Sequence, residues 1–231
     1  DNTSAIAGRV LEGISGAQLI TLPANVGKAK ALNHGLAMVT TPYVLTIDAD
    51  TRVDPEAVAR GLVRLERDGS ADVVAFDVSV LPARRLFVEI QGVEYDAALN
   101  FERRGQSVIR AVSVAPGAAS LWRAEALAAI DGFDDATVTE DVDATLCLAK
   151  RGQTTVHVAG AVAWTDPPRN LRHLLAQRRR WCLGHYQNIL LHFPQRGNAA
   201  AFTWAVYPNF LFLSAFLPTL ALTALAMLIF G

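Results

Sequence analysis

Up to residue 166, short apolar runs alternate with segments whose apolar residues recur at helical spacing. Runs rich in β-branched and aliphatic residues predict buried strands at 18–22, 43–48, 72–78 and 154–158. Intervening segments predict helices at 27–39 and 54–67, and Pro55 suits the first turn of the second helix. This alternation predicts an α/β domain with a mostly parallel sheet and flanking helices.

Longer patterns follow in the second half of the chain. Helical or amphipathic segments are predicted at 86–102, 141–151 and 171–193, and a β-rich stretch covers 108–122. The last helix combines leucines with basic and aromatic residues, which is typical of a helix that lies on a membrane surface.

The pattern changes after Arg196, because residues 197–231 contain no charged side chain. As a helix, residues 209–230 would span roughly 30 Å, about the thickness of one hydrocarbon core. The sequence therefore predicts an α/β domain over 1–166, an interfacial amphipathic helix over 167–196 and a transmembrane segment over 197–231.

Charge and cysteine content narrow the class of protein. A net charge of -1 gives no case for a nucleic-acid partner. Cys147 and Cys182 have no metal-ligand spacing, so we interpret them as core or interface residues. The arginines before the apolar tail favour a cytosolic domain on the cell (inner) membrane. Because the chain starts with Asp1 and ends in an apolar run, we expect it to be a fragment of a longer membrane protein.

Two carboxylates follow a predicted strand directly. Asp48 and Asp50 are two positions apart, so an extended backbone would turn both to the same side. Such a pair suits a hard divalent cation, Mg²⁺ or Mn²⁺, which could bridge diphosphate oxygens. The alternative is a loop turn and a helix cap, since Asp54 and Pro55 come next.

A second acidic motif, Thr139-Glu140-Asp141, begins a predicted helix. Thr139 could cap this helix, and carboxylates are favoured at its positive end, which is a purely structural role. The functional alternative makes Asp141 a general base that takes a proton from an attacking hydroxyl. We expect the helix terminus to keep Asp141 ionised.

A third motif, Gln177-Arg178-Arg179-Arg180-Trp181, lies in the basic helix. Gln177, Arg180 and Trp181 share one helical face. Arg180 offers a fork of donors for a diphosphate, and Trp181 offers a flat face for a sugar ring. Arg178 and Arg179 are expected to point away, toward lipid headgroups. The alternative is an ordinary basic interfacial helix.

Lys28 lies near the start of another predicted helix, after Gly27. A P-loop is excluded, because no glycine stands five residues before Gly27 and Ala29 replaces the serine or threonine. Lys28 could still contact a nucleotide phosphate.

In this order and spacing, the motifs resemble the processive branch of the family 2 inverting glycosyltransferases, which includes cellulose, chitin, hyaluronan and poly-N-acetylglucosamine synthases. The spacing is most similar to that of the bacterial poly-N-acetylglucosamine synthases. The resemblance extends over nearly the whole chain. It is carried also by Asn25-x-Gly27-Lys28-x-x-Ala31-Leu32-Asn33, Gly117, Trp122-Arg123-x-Glu125-Ala126-Leu127, Gly132-Phe133 and Gln177-x-x-Arg180-Trp181-x-x-Gly184.

The resemblance implies a GT-A fold, a UDP-sugar donor and a polysaccharide or glycolipid acceptor. It implies a divalent cation held by Asp48 and Asp50, and Asp141 as the base. Membrane lipid and a small membrane subunit are further implied partners. Substrate contacts are implied for Lys28, Gly117, Glu140, Gln177, Arg180 and Trp181.

Two departures from the family limit the expectation. Asp1-Asn2-Thr3 resembles only the tail of the family's uridine-binding loop, and Asp166-Pro167-Pro168 stands where relatives often carry a glutamate motif. We therefore expect this chain alone to be inactive. Two other classes remain open: a non-processive transferase that makes a glycolipid, and a non-catalytic membrane protein that binds nucleotide sugars.

Overall fold

The computed structural model describes residues 2–192. Its sheet consists of five strands. They are β1 (Tyr43–Ile47), β2 (Thr51–Val53), β3 (Val73–Val80), β4 (Ala119–Arg123) and β5 (Thr155–Thr165). The α-helices are α1 (Thr3–Leu11), α2 (Lys28–Leu36), α3 (Pro55–Arg67), α4 (Leu86–Glu94), α5 (Phe101–Val108), α6 (Ala124–Ala129), α7 (Glu140–Lys150) and α8 (Leu171–His192). A π-helical segment, Tyr95–Asn100, joins α4 to α5.

The strand order is β1-β4-β3-β5-β2. Only the β3–β5 pair is parallel in this part of the chain, whereas β1–β4, β3–β4 and β2–β5 are antiparallel. The expectation of a mostly parallel sheet is therefore wrong, although the α/β class is right. The alternation of strands and helices along the sequence gives only the order of the elements. Whether two strands pair parallel or antiparallel depends on which strands become neighbours in the folded sheet.

The predicted strand at 18–22 is also wrong, since these residues form no regular structure and Leu19 and Ile20 are exposed. The strand predicted at 154–158 is real but continues to Thr165. A strand needs a neighbouring edge to satisfy its backbone, and a short apolar run cannot show whether one exists.

The core lies on both faces of the central strand β3, whose residues Val73 to Phe76 are fully buried. On one face Phe76 packs with Leu65 of α3, and a methyl group at Gly61 would come within 2.9 Å of the Phe76 ring. On the other face Trp122 meets Phe133 edge to face, with ring centroids 5.5 Å apart. This packing holds the ends of the central strands in place, and the candidate functional residues lie near these ends.

The β3–β5 register breaks between Phe76 and Asp77, where β5 bulges. The buried Asp77 carboxylate accepts hydrogen bonds from the Gly160 amide (2.7 Å), from His157 Nε2 (2.9 Å) and from Arg104 (3.2 Å). Although burial works against ionisation, these donors and the nearby positive charges lower the pKa of Asp77 to about 2. The ion pair with Arg104 ties α5 to the sheet.

Helix α8 packs on the domain through a polar and small-residue face, with Gly184, Asn188 and His192 buried. Its outer face instead exposes leucines, among them Leu175 and Leu190. Within residues 2–192, no helix is both long and apolar enough to cross a membrane. The predicted transmembrane segment, 197–231, lies outside the described residues.

Candidate active site

A cavity of about 220 Å³ lies between the sheet, α5, α7 and α8. All nine residues that the sequence singled out line it. They are Lys28, Asp48, Asp50, Gly117, Glu140, Asp141, Gln177, Arg180 and Trp181. Residues that are 153 positions apart in sequence, Lys28 and Trp181, thus meet in one place.

Asp141 lies in the first turn of α7 and is held by two backbone amides. The Gly117 amide donates to Oδ2 at 2.8 Å, and the Val142 amide donates to Oδ1 at 2.9 Å. A methyl group at Gly117 would lie 2.7 Å from Lys28 Nζ and 3.2 Å from Asp141 Oδ2, so any larger residue would displace these side chains. The geometry fixes the carboxylate while leaving each oxygen a second lone pair.

Burial raises the pKa of the Asp141 carboxyl, and the charge of Glu140 adds to the rise. The amides of Gly117 and Val142 and the ammonium of Lys28 oppose it. Removal of water therefore outweighs the favourable partners at the helix terminus, while the expectation that Asp141 is ionised stays a prediction. A raised pKa strengthens a carboxylate as a base.

Lys28 lies between two carboxylates. Its Nζ is 2.5 Å from Asp48 Oδ1 and 2.9 Å from Glu140 Oε1. Burial lowers the pKa of Lys28, but hydrogen bonds and charge attraction from both carboxylates outweigh it and raise the pKa. Gly27, at φ +84°, turns the chain into α2 and brings Lys28 to this position.

Asp48 and Asp50 both reach the cavity from the turn between β1 and β2. Among residues 2–192, the Asp50 carboxylate accepts long hydrogen bonds from Thr51 at 3.4 Å and from Thr165 at 3.5 Å. Asp48 already holds a positive charge, the Lys28 ammonium. Two carboxylates open to a cavity fit Mg²⁺ or Mn²⁺, which take few protein ligands and complete their shell with substrate oxygens and water.

Thr139 occupies the N-cap position of α7, as the sequence predicted, but its side chain makes no capping hydrogen bond. Instead, the Asn188 side-chain amide of α8 donates to Thr139 Oγ1 at 3.0 Å and to Thr137 Oγ1 at 3.2 Å. The Val138 amide donates to Gln187 Oε1 at 2.9 Å. Side chains of helix α8 are therefore hydrogen-bonded to residues 137–139, the loop that leads into Asp141.

In the third motif, residues 177–181, the side chain of Arg178 is oriented differently from the expectation. Arg178 does not point away: its guanidinium carbon lies 4.1 Å from the centre of the Trp181 ring, and it donates to Glu94 Oε2 at 2.6 Å. It also donates to Gln177 Oε1 at 2.8 Å. Arg180 is exposed at the cavity rim, and Arg179 is exposed. Arg178 thus covers part of Trp181 and fixes its orientation.

Sequence reasoning missed several polar lining residues, because they belong to no recognisable motif. They are Glu102, Arg103, Gln106, Ser113 and His185. One signal was present. Arg103 and Gln106 are polar residues three apart, which share one helical face directly after the amphipathic segment 86–102. Polar residues on a buried helical face require partners or a function.

The sequence model of the protein family 'Glycosyl transferase family group 2' matches residues 43–231 of this chain. The chain therefore belongs to this family of glycosyltransferases. Among curated relatives, a poly-beta-1,6-N-acetyl-D-glucosamine synthase of Staphylococcus aureus is 28% identical over 193 residues. The same-named protein of Staphylococcus epidermidis is 26% identical over 176 residues. The matches cover 84% and 76% of this chain, but only 47% and 43% of those proteins, so the chain spans about half their length.

Solved structures share the fold. A mannosyltransferase of Pyrobaculum calidifontis, in complex with GDP-Man and Mn²⁺, matches with a TM-score of 0.77 and 21% identity, over 100% of this chain and 64% of that one. TarS of S. aureus, in complex with UDP-GlcNAc, matches with a TM-score of 0.61 and 12% identity, over 92% and 60%. At these identities the likeness establishes a GT-A-like α/β fold.

Proposed function

We propose that this chain forms the catalytic part of a membrane-bound inverting glycosyltransferase. It transfers a hexose or N-acetylhexosamine from a UDP-sugar to a growing β-linked polysaccharide. The observation that carries the proposal is the convergence of Asp48, Asp50, Asp141, Arg180 and Trp181 on one cavity. Relatives named as poly-N-acetylglucosamine synthases support an N-acetylhexosamine as the sugar.

Asp141 acts as the general base in this proposal. Its carboxylate takes the proton from the acceptor hydroxyl while that oxygen bonds to the anomeric carbon of the donor sugar. The bond from the anomeric carbon to the diphosphate breaks, and UDP leaves with the electron pair. The two backbone amides hold the carboxylate in place, and its raised pKa makes it a stronger base than an ordinary aspartate.

Positively charged side chains of the cavity serve the leaving group. Arg180 and Lys28 both line the cavity, so both can contact diphosphate oxygens. Asp48 and Asp50 would hold Mg²⁺ or Mn²⁺, which supplies charge that neutralises the departing diphosphate. Lys28 must then exchange at least part of its present contact with Asp48 for contact with the nucleotide.

Replacement of Asp50 by alanine should remove most transfer activity in the full-length protein, because one of the two carboxylates for the cation is lost. Mn²⁺ binding, followed by electron paramagnetic resonance, should weaken in parallel. Asp54→Ala is the matched control, since Asp54 caps α3 through the Glu56 amide rather than lining the cavity. Normal, metal-dependent activity in Asp50→Ala would sink the assignment.

Arg180 and Trp181 should separate donor binding from acceptor binding. Arg180→Ala should weaken UDP binding roughly 10-fold or more, because a charge-assisted contact to diphosphate is lost. Trp181→Ala should leave UDP affinity unchanged and shorten the product, because its ring serves the acceptor sugar. Calorimetry with UDP and sizing of radiolabelled product distinguish the two. Equal loss of UDP affinity in both variants would refute the division of roles.

Membrane attachment is part of the proposal. Helix α8 turns Leu171, Leu175, Leu183 and Leu190 to solvent while its polar face packs on the domain. Leucines on the outer face of a basic helix suit the headgroup region of a bilayer. The site would then lie beside the cytosolic surface of the membrane, where a polymer can pass to a membrane-embedded region and a small membrane subunit can bind.

The decisive experiment is mass analysis of the product that full-length protein makes in membranes from individual UDP-sugars. A polymer of one sugar supports the proposal. A single sugar on lipid would identify the non-processive glycolipid transferase, which can share the Gln177-x-x-Arg180-Trp181 pattern. Binding of UDP-sugar without turnover would identify a non-catalytic sensor.

A further inference from the structure

Arg103 on α5 is a buried arginine that lines the cavity, and its side chain is largely unused by the protein. The residue is only 8% exposed. Its Nη1 donates one long hydrogen bond, 3.3 Å, to Asn100 Oδ1. It forms no ion pair with any carboxylate of residues 2–192. A guanidinium carries five N–H donors, so most of its capacity is left over.

The spare donors face the cavity rather than packed protein. Within residues 2–192, no nitrogen of the Arg103 side chain is both fully buried and without a hydrogen-bond partner. Its remaining nitrogens therefore reach the open space that the residue lines. Burial lowers the pKa of Arg103, while the charges of Glu102 and Asp141 work in the opposite direction. An arginine remains charged in proteins, so the cavity contains a fixed, poorly neutralised cation.

Three polar residues close to Arg103 in the sequence are engaged by other parts of the fold, which restrains its position. Asn100 bonds both the amide (3.0 Å) and the carbonyl (2.9 Å) of Val78. Arg104 is paired with Asp77, and Gln106 accepts from the Ser113 amide at 3.0 Å. Helix α5 is anchored through these three residues, so the position of Arg103 is restrained. The side chain of Arg103, in contrast, keeps N–H donors that the protein does not use.

We propose that Arg103 is a substrate-binding residue whose guanidinium donates to oxygens of a sugar ring, hydroxyl or acetamido carbonyl, close to Asp141. This inference rests on the proposed glycosyl transfer. The diphosphate is already served by Lys28, Arg180 and the Asp48–Asp50 cation site, none of which is on α5. Around Arg103 the lining includes Tyr95, Leu99 and Val142, which suit the apolar faces of a sugar ring.

The sugar could be that of the donor or that of the acceptor, and binding measurements separate them. Arg103→Gln would be compared with a variant of its neighbour on α5, Arg104→Gln, because Arg104 does not line the cavity. Calorimetry on full-length protein would use UDP and UDP-N-acetylglucosamine. Initial rates would be measured against the concentration of an N-acetylglucosamine oligomer. Arg103→Lys, which keeps the charge but not the fork, should fall between wild type and Arg103→Gln.

Loss of a charge-assisted hydrogen bond to a sugar oxygen predicts a roughly 10- to 100-fold effect in Arg103→Gln, with UDP affinity unchanged. A loss confined to UDP-N-acetylglucosamine affinity identifies the donor sugar, and a loss confined to acceptor KM identifies the acceptor sugar. Either supports the proposal. Equal weakening of UDP itself, or wild-type behaviour in both assays, overturns it. A structural role for Arg103 would be shown by two results together, and they would also overturn the proposal. Arg103→Gln would melt at a much lower temperature than Arg104→Gln, and Arg103→Lys would behave as wild type in the binding and rate measurements. Absence of any transfer by wild-type protein would instead refute the proposed function.

Discussion

Asp141→Asn should lower glycosyl transfer roughly 10²- to 10⁴-fold, the usual effect of losing a general base. Asparagine keeps the size of the side chain and can still accept the hydrogen bond that the Gly117 amide donates. It cannot take a proton from the acceptor hydroxyl. UDP-sugar affinity, measured by calorimetry, should therefore stay within a few-fold of wild type while radiolabelled product nearly disappears.

The raised pKa of Asp141 adds a stability test with a defined sign. A folded pKa above the unfolded value means that folding favours the protonated carboxyl. That contribution is complete at low pH and is lost as the pH rises through the folded pKa. At neutral pH, Asp141→Asn should therefore melt at the same temperature as wild type or higher, and the difference should shrink as the pH falls. Wild-type transfer should also decline on acidification at a higher pH than an ordinary aspartate would produce.

Two outcomes would contradict the assignment of Asp141. Normal transfer by Asp141→Asn at saturating donor, together with lost donor binding, would make Asp141 a substrate-positioning residue. A variant that melts far below wild type at neutral pH would show that its carboxylate serves the fold instead.

Gly184→Ala should reduce transfer by roughly 10²-fold, although Gly184 does not line the cavity. A methyl group there would lie 2.9 Å from Thr139 Cβ and closer still to its Oγ1 and Cγ2. Helix α8 must then move away from the loop that leads into Asp141, breaking the Asn188 hydrogen bonds to Thr139 and Thr137. Shifts of about 1 Å at a reacting centre can cost this much rate.

Gly92→Ala in α4 is the matched control, since nothing lies within 4 Å of its added methyl group. Both substitutions raise helix propensity by about 1 kcal/mol, so a difference between them isolates the clash. Thr139→Ala should partly restore the activity of Gly184→Ala, because it removes the two closest atoms. Full activity in Gly184→Ala would show that α8 and this loop are not coupled.

Local sequence patterns were sufficient for much of the fold. The predictions at 43–48, 54–67 and 72–78 lie within two residues of β1, α3 and β3 at each end. Strong periodicity and the Asp54–Pro55 helix start carry this information within a few neighbouring residues. The motifs also predicted a family 2 glycosyltransferase, and the family is confirmed over residues 43–231.

The tertiary structure decided whatever depends on partners distant in sequence. It made the sheet mixed and left 18–22 without a strand, because pairing direction is not encoded in an apolar run. It made the hydroxyl of Thr139, the N-cap residue of α7, an acceptor for the Asn188 side chain, and it placed the Arg178 guanidinium over the Trp181 ring.

The sequence by itself determined the residues that could carry the chemistry, because their types and local spacing follow from the reaction. Only the folded chain decided their state: Lys28 bridges Asp48 and Glu140, burial raises the pKa of Asp141, and Arg103 enters the cavity from α5. The physical reason is that charge, hydration and hydrogen bonding at one atom depend on every group within a few ångströms. Those groups come from segments that the sequence keeps far apart.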